Sequence, residues 1–152
     1  PYGMLKMQQG HRTDALRTSW SSVSSRGAQR HALRLAKQLC EAARCGDAKQ
    51  IDALLVDGAD PELPGYGGNT ALMVAAWNNR ADCVALLLKR GANVDHGDPD
   101  YGYTPMLLAA QYGSLAAAEQ LVAAGGDLAC RLEGGPDEGL TARGVALRGT
   151  SR

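Results

Sequence analysis

NTALMVAAWNNRADCVALLLKRGANVD, residues 69–95, is the stretch that decides the fold. Thr70 stands before an alanine-rich apolar run, where a helix N-cap is wanted and where its hydroxyl can accept a first-turn amide hydrogen. Ala75-Ala76 carry so little side chain that a second helix can approach closely. Asn79 breaks the run, and Val84, Leu87 and Leu88 restart it at i, i+3, i+4 spacing. Gly91 then offers the positive φ favoured just past a helix end. The stretch reads as helix, turn, helix.

The phrase recurs. YTPMLLAAQYGSLAAAEQLVAAGGDLA, residues 103–129, matches it at a constant offset of 34, pairing Thr70 with Thr104, Ala75-Ala76 with Ala109-Ala110, Leu87-Leu88 with Leu121-Val122 and Gly91 with Gly125. Pro105 sits at the first helical position of that copy, where its missing N–H is not needed. Stepping back by 33 finds QLCEAARCGDAKQIDALLVDGADPE, residues 38–62, with Ala42-Ala43, Leu54-Leu55 and Gly58 in register. Loops rich in Gly, Pro and Asp follow each pair of helices. A fixed period of this length signals stacked units, none of which buries its apolar face alone.

The units resemble the ankyrin repeat, whose G-x-T-P-L-H-x-A-A…G…V-x-x-L-L-x-x-G-A reads here as GNTALMVAA, N, VALLLKRGA and again as GYTPMLLAA, G, AEQLVAAGG. The resemblance covers residues 37 to about 147 and implies an all-α ankyrin-repeat solenoid of helix-turn-helix-finger units. The family's His is replaced by Cys40, Met73 and Leu107, so its bond to the Thr hydroxyl is missing and those sites are expected to be greasier and less rigid. Lys37-Gln38 replace the Thr-Pro start of the first copy. A fourth copy begins at GLTARGVAL, residues 139–147, and then stops. The expected organisation is a basic, mostly extended arm over 1–28 and a repeat domain over 29–147. Its units run about 37–69, 70–103 and 104–140, with a partial one at 141–147 and a tail at 148–152.

A length of 152 residues suits one domain, and no apolar run is long enough for a membrane-spanning helix. Cys40, Cys45, Cys83 and Cys130 form no CxxC pair and read as reduced thiols. The expected location is a reducing intracellular compartment, cytoplasmic first. The Arg- and Ser-rich beginning leaves a mitochondrion or plastid open. The formal net charge of zero hides an asymmetry: residues 1–38 hold seven Lys or Arg against Asp14 alone, and the remainder holds nine basic against fifteen acidic residues. The arm reads as a targeting segment, a disordered basic tail, or a tail ordered by a partner. The last is preferred, with Trp20, Arg26, Arg30 and Arg34 as its expected contacts and Tyr2, Met4, Leu5 and Met7 as further anchors.

No catalytic constellation stands out. There is no G-x-S-x-G elbow, and GYGG lacks the Lys and Ser/Thr of a phosphate-binding loop and fits a hairpin tip better. DHGDPDYG, residues 95–102, clusters Asp95, His96, Asp98 and Asp100 but lacks the ligand order and closing Glu of a calcium loop. No metal, cofactor or small-molecule substrate is therefore expected, and the chain is not expected to be an enzyme.

The ankyrin resemblance implies protein binding on the concave side, built from fingers and the exposed faces of the first helices. The expected partner-binding residues are Arg44, Tyr66, Asn69, Trp77, Asn78, Tyr101, Tyr103, Gln111 and Tyr112. Aromatic side chains with a polar handle are common binding anchors. The competing reading is that Trp77 or Tyr112 packs between repeats. The acidic tips Glu62, Asp98, Asp100, Asp137 and Glu138 are expected to attract basic partner segments. The functional expectation is a small structural or accessory subunit of a larger assembly. A transient adaptor or inhibitor comes second, and nucleic-acid contact through the arm third.

Overall fold

The computed structural model describes residues 25–130 and Ala142. Among them are six helices: α1 Ser25–Cys45, α2 Ala48–Val56, α3 Ala71–Trp77, α4 Ala81–Lys89, α5 Pro105–Gln111 and α6 Leu115–Ala123. The chain divides into two units at Ala32–Leu33, inside α1. The described part of the first, residues 25–32, is a helical stretch with Arg26, Arg30 and His31 exposed. The second carries the repeats. The helix begins at Ser25, inside the segment expected to be an extended arm, because nothing from Arg26 to Cys45 stops it except the tolerated Gly27. Residues 1–24, the last finger and all of the fourth copy but Ala142 lie outside the described residues, as does the 148–152 tail.

Helix starts follow the capping logic. Thr70 and Thr104 hold extended backbones and accept the amide hydrogens of Met73 at 3.4 Å and Leu107 at 3.3 Å. Asp47 caps α2 through the Gln50 amide at 3.0 Å. The second helices of the next two units have no such local cap. Their N-cap side chains reach back to the preceding unit instead: Arg80 Nε donates to the Arg44 carbonyl and Ser114 Oγ to the Trp77 carbonyl, both at 3.2 Å.

The first helices stack on one another (α3 on α5), as do the second helices (α2, α4 and α6). Between the two layers lie Leu39, Ile51, Leu72, Met73, Leu87, Leu107 and Leu121, all fully buried. Ala43, Ala75 and Ala76 are fully buried as well, which is what close helix approach requires. Met73 and Leu107, at the family's His position, have become core. Ala142 is helical and buried where the aligned Ala71 and Pro105 are buried, which continues the register into the fourth copy.

Asn79 turns α3 into α4 with φ at 55°, a left-handed conformation that disfavours a side chain. Its side chain compensates: Asn79 Oδ1 accepts the Ala117 amide of the next unit at 3.1 Å. The strained turn thus joins two repeats.

Candidate functional site, a concave aromatic groove

The fingers are folded by short local rules. Tyr66-Gly67-Gly68-Asn69 is a tight turn in which both glycines hold positive φ. The Asn69 amide donates to the Tyr66 carbonyl at 2.9 Å and the Gly65 amide to the Asn69 carbonyl at 3.0 Å. The second finger is organised by one carboxylate. Asp98 accepts the amides of Asp100 at 3.2 Å, Tyr101 at 3.0 Å and Tyr103. Asp98 therefore acts as an internal anchor, the Asx-turn role of a short acidic side chain.

Against the first helices these fingers form two adjoining depressions. One, of about 250 Å³, is lined by Cys40, Glu41, Arg44, Tyr66, Asn69, Val74, Trp77 and Asn78. The other, of about 300 Å³, is lined by Gly67, Asn69, Trp77, Asp98, Asp100, Tyr101, Tyr103, Leu108, Gln111 and Tyr112. All nine residues expected on the concave surface line one or the other, and Trp77 and Asn69 line both.

Trp77 and Tyr112 stack with ring centroids 5.0 Å apart and planes 27° apart, and they remain 42% and 51% exposed. The pair therefore packs across two repeats while each ring keeps an exposed face. Tyr101 is exposed and meets Tyr103 edge to face at 6.5 Å. Tyr103 is half-buried against the core. Two of the amides are engaged locally. Asn78 Nδ2 donates to the Val74 carbonyl at 2.8 Å, and Asn69 Nδ2 donates to the Tyr66 and Gly67 carbonyls. These two shape the groove more than they offer themselves to a ligand.

The first depression is electrically balanced. Arg44 pairs with Glu41 and holds that carboxyl below its usual value. The Lys37 ammonium lies 5.7 Å over the Tyr66 ring, a cation–π distance. Cys40 is buried, which pushes its thiol pKa up and leaves it a poor nucleophile. Of the expected arm contacts, Arg26, Arg30 and Arg34 are exposed on α1 and Trp20 lies outside the described residues.

The acidic tips are not equivalent. Glu62 accepts the Asn93 amide at 2.6 Å and pairs with His96 Nδ1 at 2.9 Å, while Asp95 accepts the Asp127 amide at 2.8 Å. Both are seams between consecutive units rather than free charge. Sequence reading assigned them no such role, although the signal was present. Glu62 and Asp95 are 33 apart, and Asp60, Asn93 and Asp127, whose side chains cap the second residue after them, recur with them. Asp95, His96 and Asp98 all bond to other groups of the same chain, and among the described residues no group of three or more His, Cys, Asp or Glu side chains could hold a metal ion. Asp137 and Glu138 lie outside the described residues.

A family model described as ankyrin repeats (3 copies) matches residues 39–131. The chain is 40% identical over 86 residues to the ankyrin repeat and KH domain-containing protein mask-1 of Caenorhabditis elegans, covering 55% of this chain and 3% of that protein. It is 39% identical over 106 residues to the ankyrin repeat domain-containing protein SAT10 of Stachybotrys chartarum, covering 70% and 5%. It is 37% identical over 75 residues to the glycerophosphocholine phosphodiesterase gde1 of Schizosaccharomyces pombe, covering 49% and 7%. The matched segment is thus a small fraction of each relative's length.

Proposed function

The chain belongs to the ankyrin-repeat family, and from that premise we propose that it is a non-catalytic protein-binding module, a small accessory subunit that holds its neighbours through the concave groove. Ankyrin repeats are protein–protein interaction modules. The relatives' names differ in kind while the shared segment stays small, so their activities do not carry over. The observation that carries the reading is the Trp77–Tyr112 stack. Two large rings, half exposed, sit at the centre of a groove whose nearest thiol is buried and whose Asn69, Asn78 and Asp98 side chains are tied to the backbone. The exposed arginines of α1 offer a second contact element on the arm side. Free buried thiols at Cys40 and Cys83 suit a reducing compartment, with the cytoplasm as the first choice.

Gel filtration of the native protein from a gentle lysate, with and without nuclease, tests the role. Elution far above the size of the denatured monomer, unchanged by nuclease and returned toward monomer size by Tyr112→Ala, supports the subunit reading. Elution near monomer size supports a transient adaptor instead, and a shift caused by nuclease moves the function to nucleic acid.

A further inference from the structure

The two depressions differ in charge. In the first, the chain supplies its own cation to the finger tyrosine: Lys37 lies over Tyr66. Lys37 occupies the place that Thr70 takes in the next copy, and Thr70 is buried as an N-cap. The second finger therefore receives no equivalent cation. Its depression is lined by four aromatic rings and by the carboxylates of Asp98 and Asp100, with no Lys, Arg or His in the lining among the described residues. Among the described residues the ion pairs are Glu41–Arg44, Asp52–Arg90 and Glu62–His96, and none involves Asp98 or Asp100.

We propose that the depression between Trp77, Tyr112, Tyr101 and Asp100 seats a lysine or arginine side chain from a basic segment of the partner protein. The inference rests on the protein-binding reading and names the chemistry of the partner. Ring faces attract a cation through their quadrupoles, and the attraction grows as water is excluded. Asp98, whose carboxylate oxygens accept three backbone amides, is held in the lining beside those rings as an acidic group. Asp100 is exposed at the lip, where it can pair with the incoming head group. The aliphatic stem of such a side chain would lie along the half-exposed Trp77 and Tyr112 rings.

The test uses the full chain and fluorescein-labelled Gly-Ser peptides carrying lysine, arginine or, at the same positions, norleucine. Polarisation titrations should show lysine and arginine peptides binding at least about fivefold more tightly than the norleucine peptide. Asp100→Asn and Tyr101→Leu should each weaken the lysine peptide about two- to fivefold. Asp82→Asn, which removes an equal charge from an exposed site on α4, should leave it unchanged. Circular dichroism confirms that each variant keeps its helicity.

Equal binding of norleucine and lysine peptides, or equal loss in D82N and D100N, overturns the proposal. So does tighter peptide binding when Lys6, Arg12 and Arg17 are changed to Gln, which would give the depression to the chain's own arm. If these peptides fail while Tyr112→Ala still dissolves the native complex, the cation site falls and protein binding stands. If both fail, the groove reading itself falls.

Discussion

The seams between repeats are built from polar and charged side chains, the exposed part of the concave groove chiefly from aromatic ones, and the two are put to opposite uses. Along the seams, Glu62, Asn79, Arg80, Asp95 and Ser114 each complete a hydrogen bond with a backbone group of a neighbouring unit. In the groove, Trp77, Tyr101 and Tyr112 stay about half exposed, Trp77 stacked on Tyr112 and Tyr101 edge to face with Tyr103. A polar group that already holds the stack together is not free to hold a partner, and a ring left half open has surface still to bury. Residue type and position on the repeat together separate the two groups.

The comparison breaks first if the stack does not behave as a stack. Leu87→Ala removes a fully buried side chain between the layers and should destabilise the protein by about 2–5 kcal/mol in urea unfolding. Partner binding should then fall only as far as folding does. A seam is the next largest effect. Asp95→Ala leaves the Asp127 amide without its charged acceptor and should cost about 1.5–3 kcal/mol. Hydrogen exchange should rise at Asp127 and its neighbours and stay unchanged at Asn93, which has its own acceptor in Glu62.

Groove changes should be smaller still in stability and larger in function. Tyr112→Ala gives up one stacked pair and a half-exposed ring, about 0.5–1.5 kcal/mol by the pair alone, while binding should drop at least about tenfold. The Asp52–Arg90 pair is exposed on both sides, and Arg90→Gln should change stability by less than about 1 kcal/mol.

Alkaline pH sharpens the comparison from the core side. Burial raises the thiol pKa of Cys40, Cys83 and Cys130 in the folded chain. Between the unfolded and folded values the folded state binds more protons, so stability falls as pH rises. The fall should begin near 9.0, the ordinary thiol value, and be smaller in Cys40→Ser than in the wild type once each is compared with its own neutral-pH stability.

Much of this was legible in the sequence because the repeat states the same physics more than once. Thr70 and Thr104 before an Ala-rich run, Gly58, Gly91 and Gly125 past the second helix, and Leu54, Leu87 and Leu121 in register all hold the places their spacing implies. The concave residues were legible as positions, since the residues after each Ala-Ala pair must face the fingers. Their individual jobs were not. Nothing local separates Asn78, whose side chain is tied to its own helix, from Gln111, although both line the groove. Nor does local sequence reveal that Arg80 gives up a local cap to reach Arg44, because that bond depends on how one unit sits on the next. Glu62 and Asp98 look alike as acidic tips, yet only the finger geometry makes one a seam and the other the anchor of a charged depression. The start of α1 at Ser25 was missed because Gly27 and the Ser-rich run before it weaken the local helix preference, and the helix that follows carries the start along.

The central claim is that partners dock on the concave rings, and hydroxyl-radical footprinting of the native complex against the isolated chain tests it most directly. Trp77, Tyr101 and Tyr112 should lose most of their labelling in the complex, while Val56 and Leu115, both 71% exposed away from the groove lining, should keep theirs. Unchanged labelling of the three rings, with protection at Val56 or Leu115 instead, would contradict the account.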